Sequence, residues 1–121
     1  MANIINIPVI TDGRGSLGVV EKVINFNIKR VYFIYNTNGQ PRGGHRHKRT
    51  RQFLVCLHGS CKIYCQNKLK ESKVYCLDNP NSGLIIEPSD WHSMKNFSSD
   101  CVLLALASEF YDKNDYINDK Y

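Results

Sequence analysis

The sequence predicts a small all-β domain, either a double-sheet jelly roll or a closed barrel, and three observations carry that expectation. Short runs rich in β-branched and aromatic residues recur along the chain, turn-forming clusters separate them at regular spacing, and helical periodicity is nearly absent. The expected strands cover residues 17–24, 30–36, 52–57, 60–66, 73–77, 83–86 and 101–107. Residues 60–66 place Cys61, Ile63 and Cys65 on one face of an alternating strand, where the cysteines read as small core residues. The run from Cys101 to Ala107 is the longest apolar stretch and suits a buried strand. Turn chemistry separates the runs at Asp12-Gly13-Arg14-Gly15, Asn36-Thr37-Asn38-Gly39, His58-Gly59-Ser60, Asp78-Asn79-Pro80-Asn81 and Pro88-Ser89-Asp90. The first segment, residues 4–10, has five apolar residues of seven and reads as a terminal strand. In the tail, a short C-terminal helix is expected near Asp115-Tyr116-Ile117.

At 121 residues and 42% hydrophobic, the chain closes one core, and residues 1–121 read as a single domain. The start has neither the basic segment nor the long apolar run of a signal peptide, and no segment is long enough to span a bilayer. Five cysteines include no Cys-x-x-Cys pair, so neither a zinc knuckle nor a redox motif is suggested. A reduced, soluble, cytoplasmic protein is expected. The net charge of +5 owes much to Arg42, Arg46, Lys48, Arg49 and Arg51. Such a cluster suits a solvated face, a nucleic-acid stripe or a phosphorylated small molecule. Cations interleaved with inward-facing histidines favour the small anion, and no nucleic-acid-binding motif argues otherwise.

The chemistry-bearing pattern is Gly39-(five residues)-His45-Arg46-His47-(four)-Gln52-(six)-Gly59, answered by Gly83-(four)-Pro88-(three)-His92-(three)-Asn96. In an extended segment His45 and His47 share a face, and a third imidazole from a distant strand turns that face into a site. This spacing resembles the two motifs of the cupin superfamily, small β-barrels whose interior carries the chemistry. It departs from them at Gln52, where the family pattern usually has a metal-ligating Glu. A neutral amide there weakens the case for a metal and leaves the histidines free for acid–base work.

Further segments narrow the resemblance. Arg14-Gly15-Ser16-Leu17, Ile28-Lys29-Arg30-Val31-Tyr32, Pro41-Arg42-Gly43-Gly44-His45-Arg46-His47-Lys48, Leu54-Val55-Cys56-Leu57-His58-Gly59-Ser60-Cys61, Pro88-Ser89-Asp90-Trp91-His92 and Phe97-Ser98-Ser99-Asp100-Cys101-Val102 are similar, in order, to the dTDP-4-keto-6-deoxyglucose 3,4-ketoisomerases. The resemblance implies a cupin jelly roll, a homodimer, and a dTDP-linked 4-keto-6-deoxy sugar as substrate, with no metal and no organic cofactor. It also implies His45 as the base that removes the C3 proton, with His47 as a second shuttle or polariser and Tyr32 serving the sugar oxygens. Arg14, Arg30, Arg42, Lys48, Gln52 and His92 are the substrate-binding expectations. Arg14-Gly15 resembles the members that give the 3-keto-6-deoxygalactose series, which feed 3-amino sugars of surface polysaccharides. Residues 1–11 are expected to exchange with a partner, because a terminal apolar strand otherwise leaves an open sheet edge. Rival readings are a nucleotide-sugar 3,5-epimerase-like cupin, a metal-dependent cupin enzyme using His45, His47 and His92 as ligands, and a non-catalytic sugar-binding cupin. His92 can equally be a satisfied core histidine, and Tyr32 barrel filler.

Overall fold

The computed structural model describes residues 1–121 and is built from twelve strands. They are β1 (Asn3–Asn6), β2 (Val9–Asp12), β3 (Gly15–Gly18), β4 (Arg30–Ile34), β5 (Arg42–His47), β6 (Gln52–His58), β7 (Cys61–Gln66), β8 (Ser72–Leu77), β9 (Ser82–Ile86), β10 (Trp91–Lys95), β11 (Val102–Ala107) and β12 (Tyr116–Ile117). One five-stranded sheet runs β1-β9-β6-β11-β4, and a second runs β12-β5-β10-β7-β8. Every strand pairing is antiparallel. This is the expected double-sheet jelly roll.

Strand β6 shows why the sequence folds this way. Its residues Gln52 to Cys56 are buried without alternation, so both faces of the strand are covered. Leu54 and Cys56 face the main core between the sheets, with Ile63, Leu84, Ile86 and Leu103. Phe53 and Val55 point the other way, into a smaller cluster with Ile7, Ile85 and Leu106. Val20, Ile24 and Phe26 cover that outer cluster. Here the sequence expectation needs correction, because strand geometry in residues 17–24 ends at Gly18. The apolar residues beyond it form a loop that roofs the first sheet rather than a strand that extends it.

Two further differences lie at the ends of the chain. The expected C-terminal helix is a single 3-10 turn, Lys113–Asp115, capped by the Asp112 carboxylate accepting from the Asn114 amide. Tyr116 and Ile117 then pair with β5 as a strand. At the other end, residues 4–10 split at Ile7-Pro8 into β1 and β2. Strand β1 pairs with β9 of its own chain, while β2 and β3 form a hairpin that joins neither sheet. No helix is long and apolar enough to cross a membrane.

Gly83 on β9 marks the tightest point of the outer cluster, since a Cβ there would run into the Phe53 ring. Gly83→Ala is expected to lower stability by about 1–3 kcal/mol, the usual cost of overpacking a filled core. Urea denaturation followed by tryptophan fluorescence measures it; an unchanged midpoint would mean that Phe53 has room to move.

Candidate active site

Strand register assembles the site. Strand β5 lies between β12 and β10, so His45 stands opposite His92 and His47 stands opposite Tyr116. Gly43 permits the close approach of β5 to β10. Its φ is +80°, and a Cβ would sit 3.1 Å from the His92 carbonyl oxygen. The result is a cluster of rings: His45 lies 5.0 Å from both His47 and His92, and 4.7 Å from Tyr116, between ring centroids.

The facing sheet supplies Tyr32 from β4 and Gln52 from β6. The two strands are separated by β11, whose Ala105 and Ala107 face Tyr32 and Gln52 respectively. Those small side chains leave room for Tyr32 to reach across. Its hydroxyl donates to Gln52 Oε1 at 2.6 Å. Gln52 Nε2 in turn donates to His47 Nε2 at 2.8 Å. His47 therefore carries its proton on Nδ1, which faces Asp115 Oδ2 at 3.2 Å. Asp115 also accepts from the Thr50 hydroxyl and from the Arg49 amide at 2.7 Å. Burial pushes the Asp115 carboxyl up, but these donors more than offset it and hold it below the usual range.

The three histidines are not equivalent. His47 is buried, and burial together with the neighbouring His45 pushes its pKa down to about 4. His92 is buried completely, its Nδ1 donating to the Asp90 carbonyl, and burial pushes its pKa down to about 3. Its Nε2 is buried without a partner. His45 is only half-buried; burial lowers its pKa while the Gly43 carbonyl acts the other way. His47 and His92 are therefore neutral at pH 7, and His45 is the least buried of the three. A cation held by three histidines needs an imidazole lone pair from each. His47 has none to give, because Gln52 occupies Nε2 and the proton shared with Asp115 occupies Nδ1. The set does not fit a metal ion without breaking that chain.

The other sequence-predicted residues divide into two groups. The Arg30 guanidinium lies 5.4 Å from the Tyr32 ring centroid and 5.8 Å from that of Tyr111. Arg42 is exposed and lines an open hollow with Tyr32. Both cations thus stand beside Tyr32. Lys48 is directed elsewhere, into a cleft of about 470 Å³ with Lys29, Arg49 and Arg51 that none of the histidines lines. Arg14 lies at the tip of the β2–β3 hairpin, paired with Asp12 at 2.6 Å. Within one chain, neither Lys48 nor Arg14 is brought to the histidines. Sequence reasoning missed Asp115, Thr50 and Tyr116. Asp115 follows an Asp112 cap and a charged stretch that reads as solvated, so only the pairing of β12 with β5 reveals it.

The family model for FdtA, described as WxcM-like, C-terminal, matches residues 1–121. A TDP-4-oxo-6-deoxy-alpha-D-glucose-3,4-oxoisomerase of Aneurinibacillus thermoaerophilus is 50% identical over 119 residues, covering 94% of this chain and 84% of that protein. The 3,4-ketoisomerase QdtA of Thermoanaerobacterium thermosaccharolyticum was crystallised as a histidine-to-asparagine mutant with TDP-4-keto-6-deoxyglucose. It superposes with a TM-score of 0.93 at 41% identity, covering 98% of this chain and 87% of that one. A dTDP-4-dehydrorhamnose 3,5-epimerase of Bacillus anthracis, 16% identical with a TM-score of 0.83 over 95% of this chain and 76% of its own, shares the fold alone.

The buried neutral histidines set a pH dependence of stability. In the unfolded chain His47 and His92 titrate near 6.5, whereas in the fold they titrate near 4 and 3. Below pH 6.5 the unfolded chain therefore binds more protons, and stability present at higher pH is lost as pH falls toward 4. The expected slope is about 1.4 kcal/mol per pH unit for each such histidine. Urea midpoints between pH 7.5 and 4.5 should show it, and His92→Gln should flatten it. A midpoint independent of pH over that range would contradict the burial of neutral imidazoles.

Proposed function

The chain belongs to the WxcM-like, C-terminal family (FdtA) and is a sugar-nucleotide 3,4-ketoisomerase, and we propose that His45 drives its reaction on TDP-4-keto-6-deoxyglucose. The observation that carries this reading is the ranking of the three histidines. His45 alone combines a half-exposed ring with freedom from side-chain partners, while His47 and His92 are fixed by hydrogen bonds. The solved relative holding this keto sugar as a histidine-to-asparagine mutant supports an essential imidazole.

Moving the ketone from C4 to C3 requires loss of the C3 proton, which the C4 carbonyl acidifies. Neutral His45 takes that proton, and the electron pair delocalises to O4 as an enediolate. A proton then adds to C4, the O3 hydroxyl loses its proton as the C3 carbonyl forms, and O4 gains one. Atoms and charge balance without an external reagent. The Tyr32 hydroxyl already donates to Gln52, so its oxygen is oriented to accept from a sugar hydroxyl. Arg30 and Arg42 supply positive charge for the enediolate and for the diphosphate, the latter suited to the guanidinium fork. The resemblance of Arg14-Gly15, not its position in the single chain, supports 3-keto-6-deoxygalactose as the product, an acceptor for a 3-aminotransferase. The fixed state of His47 makes it a positioning and polarising group, acting on Tyr32 through Gln52.

We further propose a homodimer. Strand β4 forms one edge of its sheet with Val31, Phe33 and, just beyond it, Tyr35 exposed, and Ile10 and Leu17 stand exposed on the hairpin that joins neither sheet. A second copy covers such surfaces by a two-fold operation, and exchange of residues 1–11 would seat β1 on the partner's β9. Light scattering decides it, since a mass near 13.9 kDa at micromolar concentration would exclude the dimer.

His45→Asn is expected to keep fold and TDP binding while losing turnover by ~100-fold or more, the scale of a lost general base. The assay couples the protein to a 3-aminotransferase and identifies the amino sugar, with solvent deuterium entering at C4. Because burial lowers the His45 pKa, the acidic limb of kcat/KM should lie below pH 6.5, with no loss from pH 7 upward. Near-native turnover of the variant would move the base to another residue.

Arg42→Ala tests the diphosphate contact. Such a contact is made equally in ground and transition states, so KM should rise far more than kcat falls. An unchanged KM would return Arg42 to the solvated surface.

A further inference from the structure

At the end of the barrel away from the histidines, three cysteines meet. Cys56 lies four residues beyond Gln52 on β6, roughly 13 Å along an extended strand. Cys61 opens β7, and Cys101 immediately precedes β11. All three are free and at most 2% exposed, and their sulfurs lie within 4.8 Å of one another. The Cys56 and Cys101 sulfurs are 3.9 Å apart.

That spacing is the informative quantity. Thiolates bound to one ion at a metal–sulfur distance of about 2.3 Å sit roughly 3.8–4.0 Å from each other. The pocket is held in shape from outside by two knitted turns. The Ser98 amide donates to the Ser60 carbonyl at 2.8 Å, the Ser60 amide to Ser98 Oγ at 2.9 Å, and Ser98 Oγ to Asp100 at 2.7 Å. Purely apolar packing at these positions would be served as well by Val or Ala. Three converging sulfurs add soft donor atoms that packing does not require.

We infer that Cys56, Cys61 and Cys101 form a binding site for one soft thiophilic cation of the Cu(I) class. Three donors in a dry setting, with no carboxylate or imidazole hydrogen-bonded to them, match a three-coordinate soft ion better than a hard divalent one. Binding replaces S–H protons by metal–sulfur bonds, releases the protons to solvent and changes no oxidation state. Because each thiol that binds the ion gives up its proton, loading is favoured by rising pH. The site is separate from the ketoisomerase centre, so its occupancy tests nothing about His45.

The experiment is an anaerobic titration of the reduced protein with Cu(I) against a competing Cu(I) chelator, followed by sulfur-to-metal charge-transfer absorption. One equivalent per chain is expected. Affinity should fall at least ~100-fold in Cys61→Ala and Cys101→Ala, which each lose a direct ligand, and remain unchanged in Cys76→Ala, whose thiol is exposed. X-ray absorption of the loaded native protein should show sulfur neighbours at about 2.3 Å and no nitrogen. That measurement decides the matter even where an alanine variant fails to fold. Absence of stoichiometric uptake, loss of uptake in Cys76→Ala alone, or a nitrogen-dominated shell from the histidine end would each overturn the inference.

Discussion

The site depends on one hydrogen-bonded chain, Tyr32 to Gln52 to His47 to Asp115, that crosses the interior from one sheet to the other. Tyr32 and Gln52 belong to the first sheet, His47 to the second, and Asp115 to the turn before β12. Buried polar groups left unpaired are costly, so each member must be in place for the others to be tolerated. Asp115 anchors the chain and also accepts from Thr50 and the Arg49 amide, which ties the turn between β5 and β6 to the tail. The same atoms thus fix the tautomer of His47, close the barrel over its C-terminal strand and hold Tyr32 at its angle. Folding and function share this chain.

Gln52 is the residue that makes the chain directional. Its amide accepts from Tyr32 with one atom and donates to His47 with the other. A carboxylate at this position could accept from both but donate to neither. His47 would then need a proton on each nitrogen, one toward Asp115 and one toward position 52, and would become a buried imidazolium between two carboxylates. The alternative for such a carboxylate set is to recruit a cation. Replacing one oxygen by an amide nitrogen removes both outcomes, and His47 stays neutral.

The sequence made part of this legible and hid the rest for physical reasons. The spacing of His45, His47 and His92 suffices to place them together, because strand alternation and an antiparallel register convert sequence spacing into shared faces. Arg30 and Tyr32 follow the same rule and lie on one face. Lys48 fails it, since the strand ends at His47 and the cations that follow leave the barrel by the turn. The loop after Gly18 looks like a strand because its residues are apolar, yet that apolarity serves the outer face of β6 instead. Asp115 and Tyr116 leave no periodic trace. Asp115 precedes and Tyr116 opens a two-residue strand whose pairing with β5 spans some seventy positions, as the 68-residue separation of His47 and Asp115 shows.

The proposal that His45 is the base rests on the packing of three imidazoles against each other. With centroids 5.0 to 5.8 Å apart, two protonated rings in one dry cluster repel strongly, so a second proton is disfavoured once the first has arrived. The question is then which ring accepts the first. Protonating His47 would cost its acceptor role toward Gln52, and the amide would lose its partner. Protonating His92 would put charge on an Nε2 that no acceptor meets, in a position fully shielded from water. His45 pays neither penalty, because its ring is only half-buried and no side chain depends on its lone pair. Ring nitrogens of His45, His47 and His92 lie within 4.8 Å of one another, so a proton gained by His45 sits beside rings that carry no competing charge.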